Sequence, residues 1–182
     1  MRRTLKSILA CTLASALALG TAVTSMAANS PVVSVSPVTQ RQTTTDNRLY
    51  TVDTTKKGTV TITKAKAAGG TKKTVAAKLK VKGVNYTVTV IGANAFKSCK
   101  KVKTISLPAS IKTIKTDAFK GCKSLKTIVL KNKKSITVKK NAFKGLDTKN
   151  MTVKVKGKMS AKNYKRLQAN LRKAGFTGKI TK

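Results

Sequence analysis

The chain of 182 residues carries 40 Lys and Arg against four acidic side chains, all Asp, and no His, a formal net charge of +36 at pH 7. The absence of His and Glu removes the usual general bases and most metal-ligand sets, and an aromatic share of 4% with no Trp leaves little for base stacking. Such an excess of one sign points to anionic partners. In chain order, Arg2, Arg3 and Lys6 precede a mostly small, apolar run from Ile8 to Val23, and Ser25-Met26-Ala27 fits a small-x-small cleavage site. Residues 1–27 therefore read as a signal peptide cleaved near Ala27, which predicts a secreted or cell-surface location. A membrane anchor is the rival reading, but Ser, Thr and Gly interrupt the run and no stop-transfer charge cluster follows. Residues 28–47, rich in Ser, Thr, Pro and Val, read as a flexible tether. Residues 48–182 then form one folded unit of about 135 residues, enough for a narrow core.

Over 48–90 apolar and polar residues alternate (Val60 and Ile62; Leu79 and Val81; Tyr86, Val88 and Val90) around turns at Gly58, Gly69-Gly70 and Gly83, which predicts a β-hairpin cap. Over 91–157 the chain repeats itself about three times. IGANAFKSCKKVKTISLPAS is followed at once by IKTIKTDAFKGCKSLKTIVLKNKKS, and a looser copy begins at Ile136. Ile91, Ile114 and Val138 open the units, Phe96, Phe119 and Phe143 fall 23 and then 24 residues apart, and Cys99, Cys122 and Leu146 keep the same step. Apolar residues fixed in phase at this period mark a leucine-rich solenoid, in which each unit is one coil and stacked coils make the core. Asn94, Asp117 and Asn141 precede Ala-Phe-Lys triplets and read as N-caps of a single helical turn. Val102, Ile105 and Leu107, matched by Leu125, Ile128 and Leu130, predict the inward face of a short strand pairing in parallel with its copy. The third coil supplies Val153 and Val155 after the polar stretch 147–150. Over 158–182, Ser160 is placed to cap a helix with the stripe Tyr164, Leu167 and Leu171, Gly175 to end it with Phe176 packed back, and a short strand is allowed at 179–181.

Repeats of the form Ile-x-x-x-Ala-Phe-x-Gly-Cys-x-x-Leu-x-x-Ile-x-Leu-Pro resemble the BspA-like leucine-rich repeat family of bacterial surface and secreted proteins. Pro108, Ala118, Gly121, Leu125, Ile128 and Leu130 occupy pattern positions, and the likeness runs from Val88 to Gly157. The resemblance implies an α/β repeat fold, a short right-handed leucine-rich repeat solenoid with parallel strands, here with an N-terminal β-hairpin cap and a C-terminal helical cap. It also implies presentation outside the cell for adhesion or ligand binding, and no catalytic activity.

The repeat stacks Lys97 on Lys120 and Lys144, Lys100 on Lys123, and Lys103 on Lys126, at a strand spacing of roughly 5 Å. A lone surface lysine is simply solvated, but two cations at that distance repel by about 0.8 kcal/mol even at the dielectric of water. Rows of them call for bound or condensed anions. These seven lysines are the candidate polyanion-binding residues. The expected partner is an anionic extracellular polymer, cell-wall teichoic acid or a host glycan, or else a host surface protein. Nucleic acid is a weaker candidate because export and core use of the aromatics both count against it. A cationic membrane-active protein is the other alternative, with its amphipathic element confined to 160–174. No enzyme activity, cofactor or metal site is expected, since Asp117 reads as a cap, Asp46 lies at the tether edge, Asp53 precedes a Thr-Thr-Lys-Lys-Gly turn and Asp147 sits in a polar turn. Cys99 and Cys122 share a position that Leu146 fills in the third coil, so they read as buried free thiols rather than a disulfide or a nucleophile.

Overall fold

The computed structural model describes residues 41–43, 50–56, 58–66 and 70–182. The signal peptide expected over 1–27 lies outside them. So does the tether over 28–47, except that Arg41–Thr43 form strand β1, antiparallel to β2 (Tyr50–Lys56). An open sheet edge offers unpaired backbone groups, and these recruit three residues of a segment whose composition alone reads as linker.

Strands β3 (Thr59–Ala65), β4 (Lys72–Thr74), β5 (Lys78–Val81) and β6 (Val84–Ile91) lead into the repeats. There follow β7 (Thr104–Leu107), β8 (Thr113–Ile114), β9 (Thr127–Leu130), β10 (Thr137–Val138), β11 (Thr152–Val155), helix α1 (Ala161–Lys173) and β12 (Lys179–Thr181). The strands make two sheets. One has five strands in the order β12-β11-β9-β7-β4, parallel throughout. The other runs β1-β2-β3-β6-β8-β10, with β5 hairpinned onto β6; it is parallel from β3 to β10 and antiparallel at its start.

The core lies between the inner faces. Ile62, Ile91, Ile114 and Val138 stand in register along one sheet, and Ile105, Ile128, Val153 and Ile180 along the other. Outward positions are taken by Thr104, Thr127 and Thr152, as expected for β-branched polar residues on a pleated outer face. Between the sheets the phenylalanines form a column. Phe96 and Phe119 stack at 5.5 Å with planes 9° apart, Phe119 and Phe143 at 5.5 Å and 8°, and Phe176 closes the column on Phe143 at 5.3 Å, tilted by 56°.

Three features depart from the sequence reading. First, 48–90 is more than a hairpin cap. Hairpins are present, β2–β3 and β5–β6, the latter through Lys82-Gly83 with φ of +48° and +79°, a left-handed pair suited to a two-residue turn. Yet β3 and β4 run parallel to β6 and β7, so these two strands already belong to a further coil. Second, the residues that open each unit are strands themselves, β8 and β10, giving a second parallel ladder. Third, Asn94, Asp117 and Asn141 are not N-caps. Their φ values are +56°, +54° and +61°, whereas an N-cap is extended, and their carbonyls accept from the N–H groups of Lys97, Lys120 and Lys144 at 3.0, 3.0 and 3.1 Å in single turns. Asn and Asp recur there because, after Gly, they tolerate the left-handed region best.

At the other end the Ser160 hydroxyl accepts from the Asn163 N–H at 3.4 Å, and α1 buries Leu167 and Leu171. The Gly175 and Phe176 N–H groups both donate at 3.0 Å, to the Arg172 and Leu171 carbonyls, with Gly175 at φ +91°. Asn170 donates to the Ile136 carbonyl at 2.8 Å, tying α1 beside β10.

Candidate polyanion-binding surface

The first two full coils enter the five-stranded sheet through a lysine, Lys103 before β7 and Lys126 before β9, and the next through the buried Met151. The Lys126 and Thr127 N–H groups donate to the Lys103 carbonyl at 2.9 and 3.0 Å, and the Thr152 N–H donates to the Lys126 carbonyl at 2.8 Å. Lys103 and Lys126 are thus adjacent rungs joined through their backbones. At the Ala-Phe turns the Phe96 N–H donates to the Ala118 carbonyl at 3.0 Å and the Phe119 N–H to the Ala142 carbonyl at 3.2 Å, so Lys97, Lys120 and Lys144 follow one another in the same way. Lys100 and Lys123 come after the buried Cys99 and Cys122. All seven lysines are exposed.

Two cations that the sequence reading did not single out join them. Lys115 and Lys139 form a further pair of rungs: their N–H groups donate to the Ile91 and Ile114 carbonyls, both at 2.9 Å. Their signal was present, since each directly follows the residue that opens its coil. Lys64, on β3, carried none because its strand was not recognised as part of a coil. Lys64 and Lys115 share with Lys97 and Lys100 a cleft of about 930 Å³ beside the outer faces of β2 and β3. Gly121 lets Lys97 lie close, for a Cβ there would stand 3.0 Å from the Lys97 carbonyl and 3.7 Å from its Cγ.

The titratable groups inside are of another kind. Cys99 and Cys122 are free and buried. The Cys122 thiol lies 3.2 Å from the Phe96 carbonyl, to which it donates, and burial, aided by Cys99, pushes its pKa up to about 12. Burial also raises the Cys99 thiol and lowers the Lys73 amine. These thiols stay protonated at neutral pH, which suits packing rather than attack. Among the described residues no group of three or more His, Cys, Asp or Glu could hold a metal ion, and no helix is long and apolar enough to cross a membrane.

Residues 78–181 match the family described as BspA type leucine rich repeat region. No protein of curated function matches significantly. Among solved structures the chain is similar to a leucine-rich cell surface protein from Faecalibacterium prausnitzii A2-165, with 24% identity and a TM-score of 0.50 over 59% of this chain. It spans 28% of that protein's length, and the likeness speaks to the fold alone. A leucine-rich repeat protein from Bacteroides capillosus ATCC 29799 is 26% identical with a TM-score of 0.44, covering 60% of this chain and 95% of the other. Repeat phase, parallel ladders and a family match over more than half its length agree, and the chain belongs to the BspA-type leucine-rich repeat family.

Proposed function

We propose that the chain is a non-catalytic binding module, secreted or held at the bacterial cell surface, that engages anionic extracellular polymers through its rows of lysines. The observation that carries this is the rung geometry: exposed lysines recur on consecutive coils whose backbones are hydrogen-bonded to each other. Cations so placed repel one another, and a polymer bearing regularly spaced anions relieves all of the rungs at once. The family's bacterial surface character and the name of the Faecalibacterium relative support the location, together with the signal-like sequence of 1–27.

Binding to wall teichoic acid, heparin and mucin glycans across about 50 to 500 mM salt tests the reading. Affinity should fall steeply and rank the polymers by charge density, because displaced counterions drive the association. Retention that stays constant over that range would refute it and favour an adhesin for a host surface protein, recognised through non-lysine residues of one coil face. The membrane-active alternative is less well supported, because the apolar side chains Leu167 and Leu171 of α1 are turned into the core. Leakage of anionic vesicles caused by the intact protein would revive it.

A further inference from the structure

The cleft beside Lys97 differs from the rest of the cationic surface in shape and in chemistry. Its floor lies where the first full coil departs from its copies. Gly92 stands in register with Lys115 and Lys139, and Ala93 with Thr116 and Lys140. A Cβ at Gly92 would come within 2.6 Å of the Ile62 carbonyl, so β3 approaches too closely for any side chain there. No lysine therefore projects at the point where the other coils carry one, and the cleft opens over Gly92 and Ala93.

Four lysines from three coils line that cleft: Lys64 from the first, Lys97 and Lys100 from the next, and Lys115 from the third. One carboxylate, Asp53, sits among them. Thr51, Thr61, Ser98 and Asn94 also line the cleft, and among the described residues no aromatic side chain does. A volume of about 930 Å³ falls in the range of small-ligand sites.

Resting on the polyanion reading above, we propose that this cleft is a subsite for a short acidic saccharide. Its anionic substituents meet the lysines and its ring hydroxyls meet the threonines, Ser98 and Asn94. These neutral polar side chains separate this ligand from a bare phosphate chain, which has no hydroxyls to pair with them. The missing aromatic platform separates it from a single-stranded nucleic acid, whose bases stack on such side chains.

The test is calorimetric titration of the full chain at about 150 mM salt, near the physiological screening regime, with three probes. These are a sulfated, uronate-containing tetrasaccharide from heparin, long heparin, and a single-stranded oligonucleotide matched to the tetrasaccharide in charge. One tetrasaccharide should bind per chain. The double substitution Lys64→Gln/Lys115→Gln should weaken it by about tenfold, whereas Lys162→Gln/Lys165→Gln, the same loss of charge on the exposed side of α1, should cost no more than about twofold. Ala93→Phe, which fills the cleft without altering charge, should weaken the tetrasaccharide and leave long heparin nearly unchanged. Equal losses from the two lysine pairs, or no tetrasaccharide binding while long heparin still binds, would overturn the cleft and spare the polyanion reading. Failure of long heparin to bind at all overturns both. An oligonucleotide that binds as tightly, with the same dependence on Lys64 and Lys115, overturns the saccharide assignment.

Discussion

Lys73 stands on the rung that Ile105, Ile128, Val153 and Ile180 occupy in the later coils, and only 4% of it is exposed. Its Nζ donates to the Lys66 carbonyl at 3.1 Å and lies 5.0 Å from the centre of the Tyr50 ring, while the Tyr50 hydroxyl donates to the Thr74 carbonyl at 2.9 Å. Burial lowers the Lys73 pKa, so below 10.5 the unfolded chain binds more protons than the folded one, and this residue makes stability rise with pH up to that value. Tyr50 and Cys122 act with the opposite sign. Both pKa values are raised to about 12, so above 9.0 for the thiol and 10.0 for the phenol the unfolded chain gives up protons that the folded chain retains, and stability falls. Lys73→Met restores the apolar rung. It should stabilise the protein by about 1 kcal/mol at pH 7 and abolish the rising limb below pH 10.5 while leaving the fall above pH 9 in place. Urea unfolding midpoints of both proteins from pH 7 to 11 check this; a variant less stable than the parent at pH 7 would mean that the Tyr50 and Lys66 contacts outweigh desolvation. No sequence signal marks Lys73 as a core residue, because a lysine in a lysine-rich segment carries no apolar phase. Asn94, Asp117 and Asn141 were legible as special positions but not in kind, since N-caps and left-handed turns favour the same two residue types for different reasons.

At the scale of the coil, apolar phase is what made the architecture readable. The Phe column and the inward residues of β7, β9 and β11 must be large and apolar at a fixed step, and the sequence displays that step directly. Strands β3 and β4 hid their coil because their segment lacks an Ala-Phe turn and puts Lys at the rung, and β8 and β10 are two residues each, too short for alternation to show. Turns between coils are constrained by backbone approach rather than by side chains. A Cβ on Gly157 would collide with the Asn132 carbonyl, whereas Gly145, with φ +78°, faces open space. Asn132 cannot yield easily, because its buried amide donates to the Ala109 and Ile111 carbonyls at 3.0 and 2.7 Å. Gly157→Ala should therefore cost at least about 3 kcal/mol, and Gly145→Ala only about 1 kcal/mol from its backbone conformation. Chemical denaturation of the two variants gives the comparison, and equal losses would mean that the chain near Gly157 can move aside.

For the whole molecule the charge imbalance governs behaviour. With four acidic side chains against 40 basic ones, the folded state gathers cations that the unfolded chain spreads apart. Raising salt from about 20 to 300 mM shortens the screening length from roughly 20 to 6 Å, which is close to the rung spacing. The melting temperature should accordingly rise by several degrees with sodium chloride, and, on the proposed binding of anions to the folded rows, further with sulfate or heparin. A melting temperature that falls with salt would mean that attractive ion pairs outweigh the repulsion. The total charge was plain in the sequence, but the sharing of one cleft by Lys64 and Lys115 was not, because that depends on β3 lying beside β6.

The tilt of the last ring has a consequence for growth. From Phe96 to Phe143 the rings are related by a nearly pure 5.5 Å translation, but Phe176 lies across the end of the column, where no further ring can be laid flat upon it. The column is therefore a ruler with a stop. A duplicated block of 23 residues, the step from Phe96 to Phe119, fits between existing graduations without disturbing either end, and each insertion lengthens the cationic rows by one increment. Gene duplication within such a chain can adjust the length of its cationic rows while helix α1 stays as it is.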